Sequence, residues 1–185
     1  MADDLLAQLH ALHDGLQRDM RERFDRDLPF DELVFDRWER ARRLGFGEGA
    51  SIYHNTYVMG DVRVGEGTWV GPFVMLDGLR APIEIGHHCS ISTGVQVYTH
   101  DTVKWALSGG SAGYEVGPVR IGDCTHVGGQ SVVLHGVTIG DHCVVGAQSL
   151  VNRDIEPYSV ALGVPARVRG RVVRSDDGEI ELDVE

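Results

Sequence analysis

Apolar residues recur every sixth position over much of this chain, and few folds tolerate such a period. They stand at Ile52, Val58, Val64, Val70 and Leu76, resume after a three-residue slip at Ile85, Ile91 and Val97, and run again from Ile121 through Val127, Val133, Ile139 and Val145 to Val151. An amphipathic helix repeats at 3.6 residues and a half-buried strand at two, so six fits neither. It fits a parallel β-helix, in which short strands and tight turns wind into a coil whose stacked turns share one core. Three six-residue sides make a triangular coil. A β-sandwich would not hold the phase unbroken from Ile121 to Val151. At ~4.8 Å per coil, about five coils make a prism roughly 22 Å tall.

Two further positions follow the period. Glycine often comes directly after the apolar residue, as at Gly65, Gly71, Gly86, Gly122, Gly128, Gly140 and Gly146. It is expected to permit the corner of the coil. Four places after the apolar residue sits a small side chain, such as Thr68, Val74, Cys89, Val95, Thr125, Ser131, Cys143 or Ser149, sized for a narrow interior. This explains 24 glycines in 185 residues without any collagen-like period.

The repeat defines three regions. Residues 1–47 form a helical segment: Leu5, Leu9, Leu12, Leu16 and Met20 mark an amphipathic helix over 2–26. Pro29 ends that pattern, and Leu33, Val34, Trp38 and Ala41 mark a second, short helix. Residues 48–156 carry the β-helix, interrupted by a small bulge at 78–84 and a long extruded loop at 101–118. Compact repeats rarely carry such loops without a use. Residues 157–185 form a tail, with a hairpin turning at Asp177-Gly178.

A net charge of −11 disfavours nucleic acid and anionic membranes as partners. No apolar run approaches the ~20 residues of a membrane span. The start, MADDLLAQLH, has no basic n-region, and Cys89, Cys124 and Cys143 are odd in number and widely spaced. A cytoplasmic protein with no disulfide framework and no metal is expected. Against the acidic background, Arg167, Arg169, Arg171 and Arg174 cluster, and their alternation would place the first three on one side of a strand, facing either phosphates or solvent.

His100 ends a coil side in VQVYTHDT, where the long loop begins. An imidazole there can act as a general base, or can be an ordinary surface histidine. Asp77 follows the core residue Leu76, where a glycine would be expected. Its carboxylate can orient an acceptor hydroxyl or simply cap a turn.

The stretch IEIGHHCSISTGVQVYTH, continued by PVRIGDCTHVGGQSVVLHGVTIGDHCVVGAQSLVNRDIEPYSVALGVPARV, resembles the hexapeptide-repeat acetyltransferases, and among them the galactoside, maltose and polysaccharide O-acetyltransferases. The resemblance covers residues 60–170, with TIGDHCVVGAQSLVNRDI and GVPARV as its most specific cues. It implies a left-handed coil and a homotrimer whose active sites lie between chains. It also implies transfer of an acetyl group from acetyl-CoA, a co-substrate rather than a resident cofactor, to a hydroxyl or amine of a sugar or nucleotide-sugar. By the same resemblance His100 is the base, Asp77 touches the acceptor and the Gly129 amide faces the thioester carbonyl. Ala147, Asn152, Arg153 and Arg167 contact the coenzyme. A second basic contact falls on Gly170, leaving Arg169 or Arg171 to replace it, and His126 stands where relatives usually have tryptophan.

Two other classes share the repeat. SVVLHGVTIGD resembles the trimeric carbonic-anhydrase-like zinc proteins around His135, although Gln130 occupies the place where a second histidine ligand is wanted. A non-catalytic binding or scaffold trimer is the other alternative.

Overall fold

The computed structural model describes residues 2–175 and 178–184. Asp177, half of the expected tail turn, lies outside them. The repeat forms a parallel β-helix with three stacks of short strands. The first face carries Ser51–Ile52, Trp69–Val70, Ser90–Ile91, His126–Val127, Val144–Val145 and Ser159–Leu162. The second carries Gln96–Tyr98, Val132–Val133 and Leu150–Val151 beside the leading halves of the longer strands Tyr57–Val64 and Met75–Ile85. The third joins the trailing halves of those strands to Val119–Ile121 and Thr138–Ile139. Pairing is in register from coil to coil, so Val127 lies on Ile91 on one side and Val145 on the other.

The hexad residues point inward. All are buried except Val58, which is half-buried and packs against the core. The small residues four places on are buried too, and several are hydroxylated for a reason beyond size. Thr68, Thr125 and Ser131 donate to the carbonyls of Gly86, Gly140 and Gly146 at 2.7, 2.9 and 2.9 Å. The same oxygens accept from the amides of Cys89, Cys143 and Ser149 at 2.9, 3.0 and 3.2 Å. These side chains satisfy corner groups that the strand ladders leave over.

The glycine that follows each apolar residue does a different job from the one its position suggested. At Gly128 the backbone is not left-handed, but a Cβ would lie 2.5 Å from the Ala147 nitrogen on the next coil. The glycine therefore allows adjacent coils to approach. The left-handed conformation falls two residues later, on side-chain-bearing residues: Phe73, His88, Cys124, Gln130, His142 and Gln148 have φ of 58°, 52°, 54°, 59°, 54° and 57°. Inter-coil hydrogen bonding holds that conformation against its local cost.

The N-terminal helices close one end of the coil. The expected second helix is two pieces, α2 (Phe30–Val34) and α3 (Arg37–Arg43), because the chain breaks at Phe35 and Asp36 accepts from the Glu39 amide at 2.7 Å as a cap. Leu33 and Ala41 are buried, whereas Val34 and Trp38 are exposed. Glu32 accepts from the amides of His54 and Asn55, and Arg40 donates to the carbonyls of Tyr53 and Thr56, which occupies the open edge of the first coil. α1 (Ala2–Phe24) packs on α2 through its C-terminal half. Leu16 and Met20 are half-buried there, while Leu5, Leu9 and Leu12 are exposed. At the other end Arg167–Arg174 pairs antiparallel with Ser159–Leu162 and with Ile180–Val184.

Gly128→Ala is expected to destabilise the fold by about 1–3 kcal/mol, because backbone rather than a mobile side chain meets the new methyl. Cys124→Gly, at an exposed left-handed position, should stay within about 1 kcal/mol of the parent. Urea unfolding of the two variants checks this. A larger loss for Cys124→Gly than for Gly128→Ala would contradict the assignment of the two corner positions.

Candidate active site

The corner between the second and third faces departs most from the repeat. In Met75–Ile85 the register with Tyr57–Val64 slips between Gly60 and Val62, so residues 79–82 bulge out opposite Asp61. One coil later the long loop leaves the same corner. Its root is a two-stranded antiparallel ribbon, His100–Asp101 against Glu115–Val116, with a short helix α4 (Val103–Leu107) at its tip.

His100 and Asp77 meet at this corner. Asp77 pairs in register with Tyr98, and its carbonyl accepts from the Thr99 amide and hydroxyl at 3.2 and 2.7 Å. That linkage brings His100 Nδ1 to 3.8 Å from Asp77 Oδ2. Both side chains are mostly buried, at 18% and 10% exposure. Asp77 Oδ1 accepts from the Leu79 amide, whereas His100 Nδ1 is buried without a hydrogen-bond partner. The imidazole stacks on Tyr114, with centroids 5.9 Å apart. Tyr114 in turn meets Trp105 edge-on and Arg80 face-on.

The loop root is fastened separately. His135 Nε2 lies 2.9 Å from Asp101 Oδ2, and Lys104 Nζ lies 2.6 Å from Glu115. The Val103 amide first, and the His135 ring second, hold the Asp101 carboxyl below the ordinary carboxylate range. His135 thus gathers with Asp101 and Glu115 and not with a second or third histidine among the described residues. Glu115 is already bound to Lys104, so this trio lacks the free, histidine-rich donor set of a catalytic zinc centre. His126 lies exposed on the first face, and His142 stacks on Tyr158 at another corner.

Gly129 and Ala147 occupy a different corner, between the first and second faces. Gly129 stacks above Thr93, whose carbonyl oxygen would be 3.2 Å from a Cβ added there. Its carbonyl accepts from Gln148, but its amide donates to no acceptor among the described residues. Gly163 continues this column: Val160 and Ala161 pair with Val144 and Val145, and Gly163 bonds the Ser149 hydroxyl and the Leu150 amide. Arg167 follows and is exposed, and among the described residues its guanidinium donates only to its own Ala166 carbonyl. The arginine alternation is interrupted. A bulge makes Ala161 oppose Val168 and Val160 oppose Gly170, leaving Arg169 unpaired, while Arg171 reaches the Ser159 hydroxyl at 3.3 Å.

Asn152 and Arg153 fall with His100, not with Ala147. They follow Leu150–Val151, which stacks on Val132–Val133 and Gln96–Tyr98. Within one chain, a whole six-residue side separates His100 from the Gly129–Ala147 column, roughly 15–20 Å at ~3.3 Å per residue. No single acyl group spans that distance. Tyr114, Trp105, Arg80 and the Asp101–His135 pair were not anticipated. Their partners lie far apart in sequence, and the loop they involve has no period to read. Cys89 and Cys143 are buried, and burial pushes both thiols up, which makes them poor nucleophiles.

Comparison with known proteins agrees with the repeat. The family profile described as bacterial transferase hexapeptide (six repeats) matches residues 118–153. Nodulation protein L of Rhizobium meliloti (strain 1021) is 34% identical over 143 residues, covering 73% of this chain and 76% of that protein. A hexapeptide-repeat acetyltransferase of Vibrio cholerae O1 biovar eltor, solved with acetyl coenzyme A, is 30% identical with a TM-score of 0.63, over 88% of this chain and 87% of that one. A maltose O-acetyltransferase of Clostridium difficile 630 is 28% identical with a TM-score of 0.66, over 92% and 89%. The chain spans about a third of the length of the Staphylococcus aureus relatives that it matches at 46–48% identity. Identity at this level, over three-quarters of nodulation protein L and most of the Vibrio enzyme, places the chain in the family of hexapeptide-repeat acetyltransferases.

Proposed function

We propose that this chain transfers an acetyl group from acetyl-CoA to a hydroxyl or amine of a small acceptor, a sugar or nucleotide-sugar, with His100 as general base. The observation that carries this reading is the juxtaposition of His100 and Asp77 in a mostly buried corner, with Nδ1 3.8 Å from the carboxylate and without a hydrogen-bond partner among the described residues. A proton on Nδ1, directed at Asp77, leaves the Nε2 lone pair for the acceptor. His100 takes the acceptor proton as the oxygen or nitrogen attacks the thioester carbonyl. The carboxylate stabilises the imidazolium that forms. When the tetrahedral intermediate collapses, the C–S bond breaks and the proton passes to the departing coenzyme thiolate. Asp77 also contacts the acceptor.

The unpaired Gly129 amide holds the developing oxyanion, with Ala147, Arg167 and Arg169 along the coenzyme. These groups lie one prism side away from His100 in the same chain. The working site therefore pairs the His100 corner of one subunit with the Gly129 corner of its neighbour, in a homotrimer of left-handed coils. Asn152 and Arg153, on the His100 corner, reach the coenzyme from across that interface. No described helix is long and apolar enough to cross a membrane, and the three free cysteines suit a reducing cytoplasm.

His100→Ala should lower turnover by ~10²–10⁴, the share of a positioned general base. Sedimentation should still give a trimer, and calorimetry unchanged acetyl-CoA affinity. Near-normal thiol release by this variant would overturn the base assignment. Arg167→Ala should weaken acetyl-CoA roughly ten- to a hundredfold through a lost charge-assisted phosphate contact, and less as salt is raised. Unchanged calorimetric affinity would remove Arg167 from the coenzyme site.

A further inference from the structure

We infer that the acceptor carries an anionic oxygen group, a phosphate or carboxylate, and that Arg80 receives it. This rests on the acetyl-transfer reading of the His100 corner and names the class of acceptor that corner takes.

The cations around this corner are matched to carboxylates, with two exceptions: Arg80 in the bulge and Arg153, which the acetyl-transfer reading gives to the coenzyme. Arg63 pairs with Asp61 at 2.8 Å and with Glu84 at 3.3 Å, Arg120 with Glu84 at 3.1 Å, and Lys104 with Glu115 at 2.6 Å. Asp101 is engaged by His135, and Asp77 by the Leu79 amide and His100. Arg80 has no carboxylate partner among the described residues, in a chain that has 28 acidic and 17 basic side chains. Its guanidinium is exposed and makes no side-chain hydrogen bond among the described residues, which leaves its fork of donors open.

Arg80 sits in the 79–82 bulge, which the repeat does not need. Its guanidinium lies 5.1 Å from the centroid of Tyr114, the ring that stacks on His100. That cation–π contact orients the guanidinium without consuming its hydrogen-bond donors. Tyr114 and Trp105, both exposed, form an aromatic wall beside the imidazole. A sugar ring packs against such a wall, and a guanidinium at its margin binds a phosphate or carboxylate in a bidentate manner. The attacking hydroxyl or amine then lies toward His100 and the anionic group toward Arg80. Arg80 is a specificity-determining residue and takes no part in proton transfer.

The test is calorimetry on protein saturated with CoA, so that the coenzyme's phosphates are already seated. Three matched pairs serve as probes: glucosamine and glucosamine 6-phosphate, galactose and galacturonate, N-acetylglucosamine and its uridine diphosphate conjugate. The anionic member of at least one pair should bind the parent protein about tenfold tighter or more. The preference should shrink as salt is raised. Arg80→Gln should abolish it while leaving the neutral member and CoA unaffected, and Arg80→Lys should retain part of it. Absence of any charge preference in the parent, or its survival in Arg80→Gln, would overturn the proposal. So would a loss of CoA affinity in Arg80→Gln, which would assign the guanidinium to the coenzyme. Failure of the parent to bind CoA at all is a separate result and strikes the acetyl-transfer reading instead.

Discussion

The hydrogen bonds that join each coil to the next govern the rest of this molecule. They require every turn of chain to return above the previous one in register, as Val127 does on Ile91. That demand explains the six-residue apolar period, the glycines that admit neighbouring backbone, and the hydroxyls that satisfy corner carbonyls. It also explains why side-chain-bearing residues such as Cys124 and His142 accept a left-handed backbone. Each is held there by an amide bond to the adjacent coil, Cys124 to the His87 carbonyl and His142 to the Asp123 carbonyl.

A scaffold so regular places function where it is interrupted. Both interruptions, the 79–82 bulge and the 101–118 loop, leave the same corner. There a carboxylate, an imidazole, two aromatic rings and an unpaired guanidinium come together. The Asp101–His135 bond ties the loop root to a later coil and sets the direction in which the loop leaves. The corner carrying Gly129 and Ala147 keeps the repeat intact and presents an unpaired backbone amide, which suits it to an extended ligand lying along the stack.

The core was legible in the sequence because its signal is local and repeated. Ile121 to Val151 could be assigned to the interior from phase alone, and Asp77 and His100 stand out as candidates where the repeat is interrupted. The role of glycine is not legible there, because sequence shows which residue is small but not which backbone angle is left-handed. Splitting the second helix at Asp36 and interrupting the arginine alternation at Arg169 depend on a cap and a bulge that the apolar pattern does not encode. The exposure of Leu5, Leu9 and Leu12 likewise does not follow from helical periodicity. Tyr114 and Arg80 become neighbours only when an aperiodic loop folds over a bulge from the preceding coil.

The central claim is that one reacting site draws on two corners that a single chain holds too far apart. Complementation in mixed trimers tests it most directly. His100→Ala removes the base, and Ala147→Trp blocks the coenzyme corner, so each variant alone should be inactive. If the two are co-expressed in equal amounts and assemble at random, an interface with both features intact arises in about one quarter of sites. The mixture should therefore recover roughly a quarter of parental thiol release. A mixture as inactive as its components, despite confirmed mixed assembly, would contradict the account.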